Sequence, residues 1–90
     1  MSLFSYKPNV SKKEFRKVCA DLRKEGFNLR QIKEVEQTFL GDIKEKGSQR
    51  GIDEKEIEKG IGWMKENKDF LRIEEEKIDF LEKRMREELK

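Results

Sequence analysis

Apolar residues along this chain recur in pairs five positions apart, each pair bracketing a short polar stretch: Val10 and Phe15, Phe27 and Ile32, Ile52 and Ile57, Ile73 and Ile78. Directly after the first member of the first three pairs stands a capping residue, Ser11, Asn28 or Asp53. Three positions further on comes Glu14, Gln31 or Glu56. This is a capping box joined to a hydrophobic staple. The cap side chain accepts from the third amide of a helix, the Glu or Gln reaches back to the cap amide, and the apolar pair sets the angle at which the chain enters. Each cap contributes about 1 kcal/mol. The fourth copy, Ile73-Glu74-Glu75-Glu76-Lys77-Ile78, has no good cap and carries Lys77 where the acid belongs, so its boundary is the least defined. Spacings between the copies differ. They predict four helix starts rather than an internal repeat.

Helical periodicity follows each start. Phe15, Val18, Cys19 and Leu22 form one stripe that ends at Gly26, a residue suited to a left-handed helix end. Ile32, Val35 and Phe39 form the second, and Ile43 prolongs it if Gly41 lies inside the helix at a cost of about 1 kcal/mol. Ile57, Ile61 and Met64 form the third, with Gly60 beside them, and Ile78, Leu81, Met85 and Leu89 the last, with Phe80 just off the line. No segment alternates in the manner of a strand. The expectation is all-α: a compact array of four short helices over about 12–25, 29–46, 54–67 and 74–89, in a single domain spanning 1–90. An extended N-terminal leader occupies about 1–10, its Leu3, Phe4 and Tyr6 able to pack down, with Pro8 near its end.

Charge tempers this picture without overturning it. Charged residues make up 47 % of the chain, but Leu, Ile, Val and Phe supply 23 of 90 residues, about 26 %. That lies above the roughly 20 % below which a highly charged chain stays unfolded. Residues 1–50 carry a net charge of +5 and residues 51–90 a net charge of −3. Such an imbalance suits a polyanion-binding face, or an attraction between the halves or between copies. The lone cysteine, Cys19, excludes an internal disulfide. Without histidine or a second thiol the chain also lacks the makings of a zinc site. Cys19 falls on an apolar stripe and reads as a buried free thiol. No apolar run approaches the ~20 residues of a membrane span. The expectation is a cytoplasmic protein with no cofactor and no membrane partner.

The stretch "GIDEKEI", Gly51 to Ile57, runs on into Gly60, Ile61 and Met64 with a spacing that resembles the exit half of an EF-hand over Ile52–Met64. Glu56 would hold the last loop position and Ile52 the loop's central apolar position. Counting back puts Glu45, Gly47 and Gln49 at the first, third and fifth positions, and Arg50 where the turn glycine belongs. Calcium needs oxygen ligands at those places. Gly47 has none, Gln49 has no charge, and Lys44, Lys46 and Arg50 repel the ion. The partner hairpin, sought around Gly26-Phe27-Asn28, is too short to hold metal. The resemblance implies a degenerate, metal-free helix-loop-helix in which Asp53 and Glu56 serve as a helix cap.

A second stretch, Ala20–Val35, is similar to the helix-turn-helix hairpin of MerR-type regulators, with Gly26 in the turn and Ile32 and Val35 facing inward. That likeness implies nucleic-acid binding through the basic half, by Lys12, Lys13, Arg16, Lys17, Arg23, Lys24, Arg30 and Lys33. Leu22 stands where a small residue is usual, and Glu34 and Glu36 would face phosphates unfavourably. A solvated face laced with salt bridges is the simpler account of these charges. No aromatic residues interleave with them, which argues against a single-strand binder.

No histidine, activated nucleophile or phosphate-binding loop is present, and four short helices enclose little apolar volume for shifting a pKa. The sequence therefore points to a non-enzymatic protein-interaction module with a protein partner. Its candidate contact residues are Trp63, Phe70, Leu71 and Phe80. Trp63 sits between Gly62 and Met64 at the edge of its stripe, either capping the core beneath the leader or anchoring a partner. The last helix is too short for an independent coiled coil, so the chain is expected to be a monomer or a weak homodimer.

Overall fold

All three capping boxes form. Ser11 Oγ accepts from the Glu14 amide (3.1 Å) while Glu14 Oε1 accepts from the Ser11 amide (2.9 Å). Asn28 with Gln31 (2.8 and 3.0 Å) and Asp53 with Glu56 (2.8 and 2.9 Å) repeat the arrangement. The computed structural model describes residues 9–43 and 51–89. From these starts run α1 (Lys12–Lys24), α2 (Leu29–Ile43) and α3 (Glu54–Glu66), followed by a single turn, α4 (Lys68–Leu71), and α5 (Glu75–Glu87). The protein is all-α; among the described residues the β-structure is one isolated antiparallel bridge between Val10 and Ile52. The leader before Asn9, with Leu3, Phe4 and Tyr6, and the extension of the second helix to Lys46 lie outside the described residues. So do the loop positions at Glu45, Gly47, Gln49 and Arg50. Gly41 does lie within α2, where a side chain would meet open space.

The helix ends follow local chemistry too. At the end of α1 the Phe27 amide donates to the Leu22 carbonyl (3.0 Å) and the Gly26 amide to Arg23 (3.2 Å). Gly26 sits at φ +108°, completing a Schellman motif whose apolar pair, Leu22 and Phe27, is buried. As its sequence suggests, α5 starts without a side-chain cap, yet Ile73 and Ile78 still close over its first turn, both buried.

Four helices form a ring: α1 packs on α2, α2 on α3, α3 on α5, and α5 back on α1. Cross-links show that α5 runs antiparallel to both its neighbours. Against α1, Lys77 Nζ donates to the Gly26 carbonyl (3.1 Å) at one end and Arg84 pairs with Asp21 (2.8 Å) further along. Against α3, Asp79 pairs with Lys65 (2.9 Å) and Arg86 with Glu54 (3.1 Å). Inside the ring lies one core that includes Phe39, Leu22, Ile57, Met64 and Leu81, with the Phe15 and Phe39 rings edge to face, 6.0 Å apart. The apolar stripe of α5 is spent here, so it is not free to form a dimer seam.

One expected link is a helix. The span between the third and last predicted helices contains α4, divided from α3 by Asn67 alone, whose side-chain amide donates to the Trp63 carbonyl (2.8 Å). Arg72 ends α4 in the left-handed region (φ 57°, ψ 48°). The start of α2 satisfies the exposed carbonyl end of this short helix. Arg30 donates to Leu71 O (2.8 Å) and Arg72 O (3.2 Å), and Gln31 Nε2 donates to Arg72 O (2.9 Å).

Candidate functional site

α2 and α3 meet where Gly60 faces Phe39. A Cβ at position 60 would fall 2.5 Å from Phe39 Cε1, so only glycine lets the fully buried ring lie there. Beside this contact the helices part into a groove of about 450 Å³. Its α2 wall includes Glu34, Thr38 and Asp42; its α3 wall includes Glu56, Lys59, Gly60 and Trp63. Three carboxylates thus face one ammonium, and the groove is acidic. Glu34 lies 3.9 Å from Arg30, and Glu56 is held in place by the α3 capping box. Thr38 turns its hydroxyl back to the Glu34 carbonyl (2.8 Å), so its donor is used within α2. Trp63 stands at the groove with 46 % of its surface exposed.

The four apolar candidates separate. Trp63 and Phe70 are exposed, Phe70 by 81 %. Leu71 is not a contact residue. It is 1 % exposed, because in a single helical turn adjacent residues point about 100° apart, and Phe70 facing out turns Leu71 into the core. Phe80 is likewise drawn in, half-buried against the core between α5 and its neighbours. Phe70 does not line the Trp63 groove.

The basic candidates separate as well. Lys12, Lys13, Arg16, Lys17, Arg23 and Lys24 all lie exposed on the outer face of α1, opposite its buried stripe of Phe15, Val18 and Leu22. Arg30 is committed to the end of α4. Lys33 is exposed on α2. Gln31, beside them, is only 4 % exposed. At the start of α2, Arg30 and Gln31 therefore bond the carbonyl end of α4, while Leu29 and Lys33 remain exposed. Among the described residues, the ion pair joining the two halves, Arg84 with Asp21, runs against the charge imbalance, with the cation in the acidic half.

Cys19 is partly rather than fully buried, packed against the core. Burial of its sulfur, with the Glu36 carboxylate adding, pushes its thiol up to about 12, so it is a poor nucleophile at neutral pH. Two polar clusters had no signal in the sequence. Arg84 gathers Asp21, Glu88 (3.1 Å) and Glu87 (3.4 Å) at the α1–α5 contact; desolvation lowers the pKa of its guanidinium, but Glu88 and Asp21 raise it and prevail. Lys77 reaches Gly26 O, Gln31 Oε1 (3.3 Å) and Glu74 (3.4 Å) above the Phe27 ring. Among the described residues no cluster of three Cys, Asp or Glu side chains could hold a metal ion, and no helix is long and apolar enough to cross a membrane. In comparison with known proteins, no family model, no curated protein and no solved structure gives a significant match.

Proposed function

We propose that this chain is a small, non-enzymatic protein-interaction module that captures a basic amphipathic segment of a partner in the groove between α2 and α3. The observation that carries this reading is Trp63, a large half-exposed aromatic at an acidic groove that Gly60 helps to shape. Binding energy at protein interfaces concentrates in such aromatic residues seated beside pockets. Glu34 and Glu56 favour a cationic occupant over an anionic one, and the groove volume suits one or two apolar side chains. The absence of histidine from the sequence and the raised Cys19 thiol support a role in binding rather than catalysis.

The test is a titration of amphipathic helical peptides, graded from acidic to basic, followed by the emission of the single tryptophan. Basic peptides should bind and shift the emission. Isothermal calorimetry of the same peptides should show Trp63→Ala losing about 30-fold in affinity, the size of an interface hot spot. Equal binding of acidic and basic peptides, or an unchanged affinity in the variant, would remove the groove as the site.

We also read the helix start at Ile52 as the exit half of a degenerate, metal-free helix-loop-helix similar to EF-hands, its bridge partner Val10 standing at a second helix start. What supports this is their local likeness. Each bridge residue is followed at once by its cap, Ser11 or Asp53, and three residues later by Glu14 or Glu56. The partner of the Ile52 segment is thus the segment before α1, not the Gly26 turn. Calcium added to millimolar concentration should leave tryptophan emission without a saturable change. A micromolar midpoint would show that the loop binds metal and that Asp53 and Glu56 do more than cap a helix.

A further inference from the structure

The outer face of α1 is an unopposed ladder of positive charge. Lys12, Lys13, Arg16, Lys17, Arg23 and Lys24 are all exposed, and none forms an ion pair with a described carboxylate. The expected lacing of this face by salt bridges is absent because the carboxylates nearby are used elsewhere. Glu14 belongs to the α1 capping box and Asp21 is turned to Arg84, which leaves Glu25 at the C-cap as the exposed acid of this stretch. Helix geometry then sets the charge spacing. At a rise of about 1.5 Å per residue, Lys12 and Lys24 lie roughly 18 Å apart, so six cations give about one charge per 3 Å.

That density is close to the one phosphate per roughly 3.4 Å of axis along a single strand of a duplex. We propose that the outer face of α1 binds the phosphate backbone of duplex nucleic acid, without reading its sequence. The side chains on this face decide against the rival polyanions. Between the cations stands Ala20, with no aromatic residue to stack on unpaired bases and no bulky apolar residue to enter a bilayer. The site differs from the helix-turn-helix expectation in both element and mode: on α2, the expected reader, Arg30 is engaged by the end of α4, and α1 offers charge alone. It is also independent of the Trp63 groove, which α2 and α3 build.

Anisotropy of a labelled mixed-sequence DNA duplex tests the proposal on the full chain. With about four phosphates neutralised, affinity should fall roughly 150-fold between about 50 and 200 mM salt, as counterion release requires. Reversing Lys13, Lys17 and Lys24 to Glu should abolish binding at the lower salt concentration, and the milder change of all three to Gln should weaken it and flatten the salt slope. Trp63→Ala should bind duplex as the wild type does, so that failure here and failure of the groove are read separately. Circular dichroism checks that each variant is folded. An affinity that is independent of salt, a Gln variant that binds unchanged, or preference for anionic vesicles over duplex would each overturn the proposal.

Discussion

Replacing Gly51 by alanine is expected to lower the unfolding free energy by about 3 kcal/mol, read from the midpoint of a urea transition at unchanged slope. Two costs combine. Gly51 has φ +101°, and an L residue held in that region costs on the order of 1–3 kcal/mol. The new Cβ would also fall 2.5 Å from the Val10 carbonyl oxygen and 3.0 Å from Asn9 Cβ. That oxygen accepts the Ile52 amide (2.9 Å), and the Val10 amide donates in return to Ile52 (2.8 Å), with both residues wholly buried. Relief of the clash means opening the bridge and leaving buried amide groups unpaired, at about 1–3 kcal/mol for each group. Gly26 provides the comparison. Its φ is +108°, but a Cβ there meets nothing within 4 Å, so Gly26→Ala should cost only the backbone strain, about 1 kcal/mol. If the two variants prove equally stable, the close contact at the bridge is not what holds Gly51 in place.

Gly60→Ala should be destabilising by about 2 kcal/mol even though alanine is the better helix former. Propensity alone would favour the change by about 1 kcal/mol, as it should at Gly62, where a Cβ meets open space. At position 60 the methyl group would press on Phe39 Cε1 and Cζ at 2.5 and 2.6 Å. Phe39 has no exposed surface and is held on another side by Phe15, so the ring cannot swing away cheaply. Trimming the ring should relieve the clash. In a Phe39→Leu background, Gly60→Ala should become close to neutral, a coupling of about 2 kcal/mol in a double-mutant cycle. Additive effects of the two changes would mean that α2 and α3 are not in contact there. Gly60→Ala should also narrow the groove beside Trp63, linking this packing contact to the proposed site.

What the sequence determined on its own was local. A capping box closes within four residues, and a Schellman turn within six, so Ser11, Asn28, Asp53 and Gly26 marked helix boundaries without help from the rest of the chain. Apolar stripes at helical spacing then marked the inward faces, and Phe15, Val35, Ile57 and Leu81 are all buried. Tertiary structure decided what depends on partners distant in the chain. The α4 turn has no side-chain cap of its own, and its end is held by Arg30 and Gln31, 41 or 42 residues away. The same bonds engage Arg30, one of the basic candidates. Leu71 and Phe70 are neighbours of similar hydrophobicity, and only the placement of α4 against the core put one inside and the other in solvent. Gly51 carried no local mark of its positive φ, since that angle is required by a bridge to Val10. The ladder on α1 was visible as composition, but that no described carboxylate pairs with it depends partly on Asp21 turning to Arg84. Hydrogen bonds between near neighbours are fixed by chain geometry, whereas these choices were made by which distant surfaces the ring of helices brought together.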